Sequence, residues 1–153
     1  SQKGYPYEGG IRVPTVVKWP GQVVAGKQSD LPIVTQDWVP TILDYLGLNS
    51  REQGLDGQSL AGVLKGGTLG SRDLFWHFPH YRGADVIPYS IIRSGDYKLI
   101  HYFGEQPDEL FSLTDDPRET TNLAAEFPEL VSQLKFSLQA WWLETGARLP
   151  QKK

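Results

Sequence analysis

Tyr89-Ser90-Ile91-Ile92-Arg93-Ser94-Gly95-Asp96-Tyr97-Lys98-Leu99-Ile100-His101-Tyr102-Phe103 is the stretch that decides the fold. Two apolar, β-rich runs, Tyr89 to Arg93 and Tyr97 to Phe103, flank the tight-turn pair Gly95-Asp96, so the sequence predicts two antiparallel strands. Working outward, Leu74 to Phe78 predicts a strand before them, and Glu109 to Leu113 a short fourth strand after the Gly104 to Pro107 turn. Together the four form an antiparallel meander. Thr114-Asp115-Asp116-Pro117 then reads as a turn, because Asp side chains bond nearby backbone and Pro117 fixes φ. Beyond it, Leu130, Leu134, Leu138 and Trp141 recur at helical spacing from Pro128 to the terminator Gly146. That apolar stripe has to cover something, and the meander is the nearest sheet with a face to bury. The predicted class is α+β.

The first half differs. Ile11 to Trp19 is β-branched and near-continuously apolar, which predicts a buried strand ended by Pro20-Gly21, with a surface loop from Gln22 to Asp30. Asp37 reads as the N-cap of a helix carrying Val39, Ile42, Leu43 and Leu46, with Gly47 as its left-handed terminator. A second short helix is expected over Ser59 to Lys65, closed by Gly66-Gly67.

Composition narrows the function classes. The 153 residues hold 15 Lys plus Arg against 18 Asp plus Glu, so no basic face exists for unspecific nucleic-acid binding. With no cysteine there is no disulfide, thiolate metal site or cysteine nucleophile. No run approaches the ~20 apolar residues of a membrane-spanning helix. Neither GxGxxG nor GxxxxGK occurs, so the glycines form no nucleotide cradle.

Chemistry-bearing residues concentrate in two places. In Lys3-Gly4-Tyr5-Pro6-Tyr7-Glu8-Gly9-Gly10-Ile11-Arg12, a lysine sits beside glycines that permit close backbone approach. Its ammonium is a compact charge with three donors, suited to a tetrahedral oxyanion, although such a lysine can equally be a solvated tail. Glu8 and Arg12, four apart across a glycine bend, could pair and hold the lysine loop. The second place is His77-Phe78-Pro79-His80-Tyr81-Arg82-Gly83, where two imidazoles at a strand end could bond a sugar hydroxyl or leaving-group oxygen, or simply cap the sheet. His101 reads as a half-exposed strand residue, and Trp141-Trp142 as core packing rather than a sugar platform.

Lys3-Gly4, Tyr7 to Pro14 and Trp19-Pro20-Gly21 resemble the segment of type I sulfatases that carries a sulfate-contacting lysine. Asp37 with Pro40 to Asp44, Leu55 to Leu60, Ile92 to Ile100, Glu109 to Leu113, Asp116 to Glu119 and Asn122-Leu123 continue that resemblance in order. It implies the C-terminal part of a sulfatase α/β fold within the alkaline phosphatase superfamily. Residues 1–70 would be the end of the large domain, and residues 71–153 a C-terminal subdomain.

The resemblance further implies that Lys3 is catalytic, neutralising a sulfate oxygen, and that His80 and His77 face the substrate. Glu8 and Arg12 would support the lysine loop. The family nucleophile, a formylglycine from a Cys/Ser-x-Pro-x-Arg motif, and the calcium ligands are expected upstream of Lys3. The chain alone is therefore expected to be inactive, and to self-associate through the Ile11 to Trp19 strand. Expected partners are a sulfated small molecule or glycan and the N-terminal catalytic part, in a periplasmic or secreted setting. A phosphonate or phosphodiester hydrolase of the same superfamily and a non-catalytic binding module are the alternatives.

Overall fold

A computed structural model describes residues 3–48, 54–83 and 86–151. They fall into two compact units: residues up to Val13 together with those from Arg72 onward, and Pro14–Ser71.

The first unit holds the meander. Strands β1 (Leu74–Phe78), β2 (Tyr89–Ser94), β3 (Tyr97–Tyr102) and β4 (Glu109–Ser112) lie in chain order as an antiparallel sheet. Ile91 faces Ile100 and Ile92 faces Leu99 across β2 and β3. The turn between them rests on Gly95, whose φ of 56° is left-handed and costs glycine no Cβ clash.

Side-chain alternation gives the sheet two faces, and both are covered. Ile92, Leu99 and Leu110 pack against Leu134 and Leu138 of the helix Pro128–Thr145, with Trp141 stacked on Phe75 at 4.9 Å. Pro128 starts that helix, where its missing N–H is harmless, and Gly146 ends it with φ 63°. On the other face Ile91, Ile100, Tyr102 and Phe111 pack against Tyr5, Tyr7 and Ile11. Six residues of this double core, Ile91, Ile92, Leu99, Ile100, Leu110 and Leu138, expose no surface. Each contributes roughly 1.5–3 kcal/mol by burial. The α+β reading, with a four-stranded meander against a C-terminal helix, is what the structure has.

The predicted strand from Ile11 to Trp19 is not formed. Glu8–Ile11 is one helical turn, α1, and residues 12–19 have no regular structure, with Val13 and Val16 exposed. A strand needs a neighbour for its N–H and C=O groups, and among the described residues no strand pairs with this one.

The second unit contains a 3₁₀ turn (Thr35–Asp37), α2 (Trp38–Tyr45) and the short α3 (Ala61–Leu64), inside the predicted Ser59 to Lys65. Gly47 is left-handed after α2, as predicted. Asp37 is buried and stands at the N-cap position of α2, as predicted, but its side chain makes no cap bond. Its carboxylate turns back to the Val34 N–H (2.9 Å) and sideways to the Gln58 N–H (2.9 Å). Thr41 completes this hub, its hydroxyl donating to the Asp37 carbonyl (2.5 Å) and accepting from the Leu60 N–H (2.8 Å). A Cβ at Gly57 would lie 2.1 Å from the Gln36 carbonyl oxygen, so only glycine lets the Leu55–Ser59 loop approach this closely. No described helix is long and apolar enough to cross a membrane.

Candidate functional site

The segment from Lys3 to Ile11 lies on the sheet face opposite the long helix, and four sets of contacts hold it there. The Arg82 guanidinium donates to the Lys3 carbonyl at 2.8 Å, and the Tyr89 hydroxyl to the Gly4 carbonyl at 3.4 Å. Gly4 has φ 97°, a left-handed backbone that favours glycine, and a Cβ there would sit 1.8 Å from Arg82 Nη1, so the guanidinium would have to move off the Lys3 carbonyl. Arg82 is itself fixed, because its N–H and C=O bridge to Val86.

Further along, Tyr7 Oη donates to Glu109 Oε2 at 2.9 Å, and Tyr102 Oη donates to the same oxygen at 2.8 Å. Burial pushes the Tyr102 phenol well above its ordinary pKa, and its bonds to Tyr7 and Glu109 push the same way. Tyr7 is raised too, again mainly by burial. Both phenols therefore remain neutral donors at any ordinary pH.

The fourth contact set is ionic. Lys98, with no exposed side-chain surface, places Nζ 3.1 Å from Glu8 Oε1 and 2.6 Å from Glu119 Oε1. Glu119 Oε2 accepts the Glu8 N–H at 2.6 Å, which closes a ring of three residues. The expected Glu8–Arg12 pair is thus replaced. Glu8 reaches Lys98, while the Arg12 side chain is exposed and only its N–H bonds back to the Glu8 carbonyl. The physical reason is burial. Lys98 has no water to solvate it and requires carboxylates, whereas Arg12 is solvated already.

The two histidines separate because His77 lies in β1 and His80 beyond its end. His77 points to the helix face, where Nε2 lies 2.8 Å from the Arg148 carbonyl and Nδ1 lies 2.6 Å from Ser90 Oγ. A carbonyl only accepts, so Nε2 carries the proton, and the Ser90 hydroxyl donates to Nδ1 while accepting from Trp142 Nε1 at 3.2 Å. Neither ring nitrogen of His77 is left for a substrate. His80 is exposed and packs edge-on against Phe78 at 5.5 Å. Phe78 stacks on Tyr89, which in turn holds Gly4, so His80 belongs to the same face as the exposed Lys3.

Sequence reasoning missed Arg82, Lys98 and Glu119. For Lys98 a signal existed: it shares strand parity with Ile100 and Tyr102, which put it on an apolar face. Asp115 and Asp116 serve the turn. Asp115 Oδ2 accepts from Ser112 Oγ at 2.7 Å, and Asp116 accepts from the N–H groups of Thr120 and Thr121. Among the described residues no group of three or more His, Asp or Glu could hold a metal ion.

A four-stranded antiparallel meander with a helix behind the sheet is also the arrangement of the C-terminal region in solved structures that this chain resembles. Ps i-CgsB superposes with a TM-score of 0.73 at 26% identity, over 88% of this chain and 29% of that one. BT4656, solved in complex with its substrate D-glucosamine-2-N,6-O-disulfate, gives 0.59 at 27% identity, over 76% of this chain and 25% of that one.

The family model described as N-sulphoglucosamine sulphohydrolase, C-terminal, matches residues 2–142, and the chain belongs to that family. A sulfatase of Formosa agariphila is 35% identical over 95% of the chain, and human arylsulfatase A is 29% identical over 87%. The chain spans only about 30% of the length of these relatives.

Proposed function

We propose that the protein to which this chain belongs hydrolyses sulfate esters of a carbohydrate or aryl substrate, with Lys3 contacting the sulfate. The observation that carries this reading is the lysine segment itself. In a chain of this family, Lys3-Gly4 is fastened by Arg82 and Tyr89 while the lysine side chain stays exposed. An ammonium fixed beside a sulfate oxygen stabilises the charge that develops as the ester bond breaks. His80, exposed and packed on Phe78, would donate a hydrogen bond to the leaving oxygen or to a neighbouring hydroxyl.

In the whole protein, residues 1–70 would complete the large α/β domain and residues 71–153 form the subdomain behind the lysine. The formylglycine nucleophile and calcium belong to this proposal, through residues upstream of Lys3. The described acidic residues do not fit a calcium site, because Asp115 and Asp116 are spent on their own turn, and no step is routed through the ion. A carbohydrate substrate is favoured by the disulfated glucosamine named for BT4656, and by an N-acetylglucosamine-6-O-sulfatase of Bacteroides thetaiotaomicron, 28% identical over 79% of the chain. Likeness to a phosphonate monoester hydrolase, at 19% identity, is one of fold.

The test uses the full-length protein on sulfated glucosamine, an aryl sulfate and a phosphonate monoester. Wild type should prefer a sulfate ester, and Lys3→Ala should lower kcat/KM by about 10²–10³-fold. The 153 residues alone should give no turnover. Preference for the phosphonate, or full activity in Lys3→Ala, would overturn the reading.

A further inference from the structure

The ring formed by Lys98, Glu8 and Glu119 calls for an explanation beyond stability. A buried ion pair is often no better for stability than packed apolar side chains of the same volume, because three charges have to be stripped of water. What it provides is directional registration. Lys98 is the second residue of β3, flanked by buried Leu99 and paired in register with Arg93 and Phe111. Glu119 spans from Lys98 Nζ to the Glu8 N–H with its two carboxylate oxygens.

Glu119 also holds a φ of 57°, a left-handed backbone that a non-glycine residue adopts at a cost. The Asp116 carboxylate, bonded to the N–H groups of Thr120 and Thr121, shapes the turn that imposes it. The turn at Asp116-Pro117-Arg118-Glu119 therefore aims a carboxylate at the lysine segment. Glu8 stands five residues from Lys3, with buried Pro6 and the clamped Gly4 between them, so little slack separates the clasp from the ammonium.

We propose that Lys98, Glu119 and Glu8 are positioning residues for Lys3: a buried ionic clasp through which the C-terminal meander sets where the sulfate-contacting ammonium stands. This rests on the sulfatase reading above. The magnitude at stake is large, since a misplacement of about 1 Å at a reacting centre costs on the order of 10²-fold in rate.

The experiment is a double-mutant cycle in the full-length protein, using the sulfate ester that wild type turns over. Glu119→Gln, and independently Glu8→Gln, should lower kcat by about 10–100-fold with little change in KM. In a Lys3→Ala background each should change kcat by less than about twofold, because the effect travels through Lys3. Losses that multiply, or wild-type kcat in either single variant, would overturn the positioning role.

Amide hydrogen exchange gives a readout without turnover. In Glu119→Gln, residues 4–11 should exchange faster while β2 and β3 keep their protection, and unchanged protection of residues 4–11 would overturn the clasp. A wild-type protein inactive on every sulfate ester defeats the sulfatase reading and the catalytic half of this proposal together. Multiplied losses in an active enzyme defeat the positioning role alone.

Discussion

The two faces of the meander are buried by different means. Against the long helix, Ile92, Leu99 and Leu110 meet Leu134 and Leu138, and polar contacts gather where His77, Ser90 and Trp142 meet. Against the segment Tyr5–Ile11, an apolar centre of Ile91, Ile100 and Phe111 is bordered by Tyr7, Tyr102 and Glu109, and by Lys98, Glu8 and Glu119. Hydrophobic burial is non-directional and tolerates small slips. Charge-assisted hydrogen bonds do not, because they demand particular atoms at particular distances. The helix face supplies half of the apolar core of this unit, and the segment face holds one short stretch of chain. Lys3, proposed to contact the sulfate, lies on the second.

The largest expected effect separates the two faces by cooperativity. Leu138→Ala should cost about 2–5 kcal/mol, the range for a fully buried leucine, and should lower the denaturant midpoint of the whole meander-and-helix unit. Loss of helix signal alone, with the strands still protected, would show that the helix is an accessory rather than half of the core.

The next effect probes the segment face at high pH. The Tyr102 phenol is pushed up by burial first, then by its bonds to Tyr7 and Glu109. In the unfolded chain it ionises near pH ~10, while the folded state keeps its proton. The stability this contributes is complete below pH ~10 and is lost as pH rises further. Tyr102→Phe should cost about 1 kcal/mol at neutral pH through the missing hydrogen bond, yet show a flatter alkaline limb in thermal midpoint against pH. Identical alkaline slopes would mean that the phenol is reachable by water in the folded state.

The smallest effect lies at the helix edge. Burial alone would raise the Asp108 carboxyl, but His101 at 2.8 Å and Lys135 at 2.7 Å outweigh it and hold the pKa below the ordinary carboxylate value. That contribution is present above about pH 4 and is lost as pH falls through the depressed folded value. Asp108→Asn should flatten the acid limb by a few tenths of a kcal/mol at most, since the pair is partly exposed and screened. The comparison of thermal midpoints between neutral and acid pH checks it, and an unchanged limb would assign the acid sensitivity elsewhere.

The meander and helix were legible because each strand is an apolar, β-rich run between turn residues, and because Leu130, Leu134 and Leu138 keep helical spacing. These signals are local, and the structure obeys them. Ile11 to Trp19 also carries the local signal of a strand, but a strand is completed by a neighbour, and none of the described residues supplies one. His77 and His80 look equivalent in sequence. Only His77 lies in β1, where residues two apart share a face, so it goes with Phe75 under the helix, while His80 lies beyond the strand's end. The role proposed for Lys3 comes through resemblance. The fastening of its segment was not legible, because Glu8 meets Lys98 and Glu119 across separations of 90 and 111 residues, which no window of sequence covers.

Those separations also bear on biosynthesis. A ribosome adding roughly 5–20 residues per second delivers Glu119 on the order of ten seconds after Glu8. Through most of that interval Tyr5, Tyr7 and Ile11 have neither sheet nor carboxylate to rest on, and the lysine segment is the part of its compact unit that waits longest for its seat.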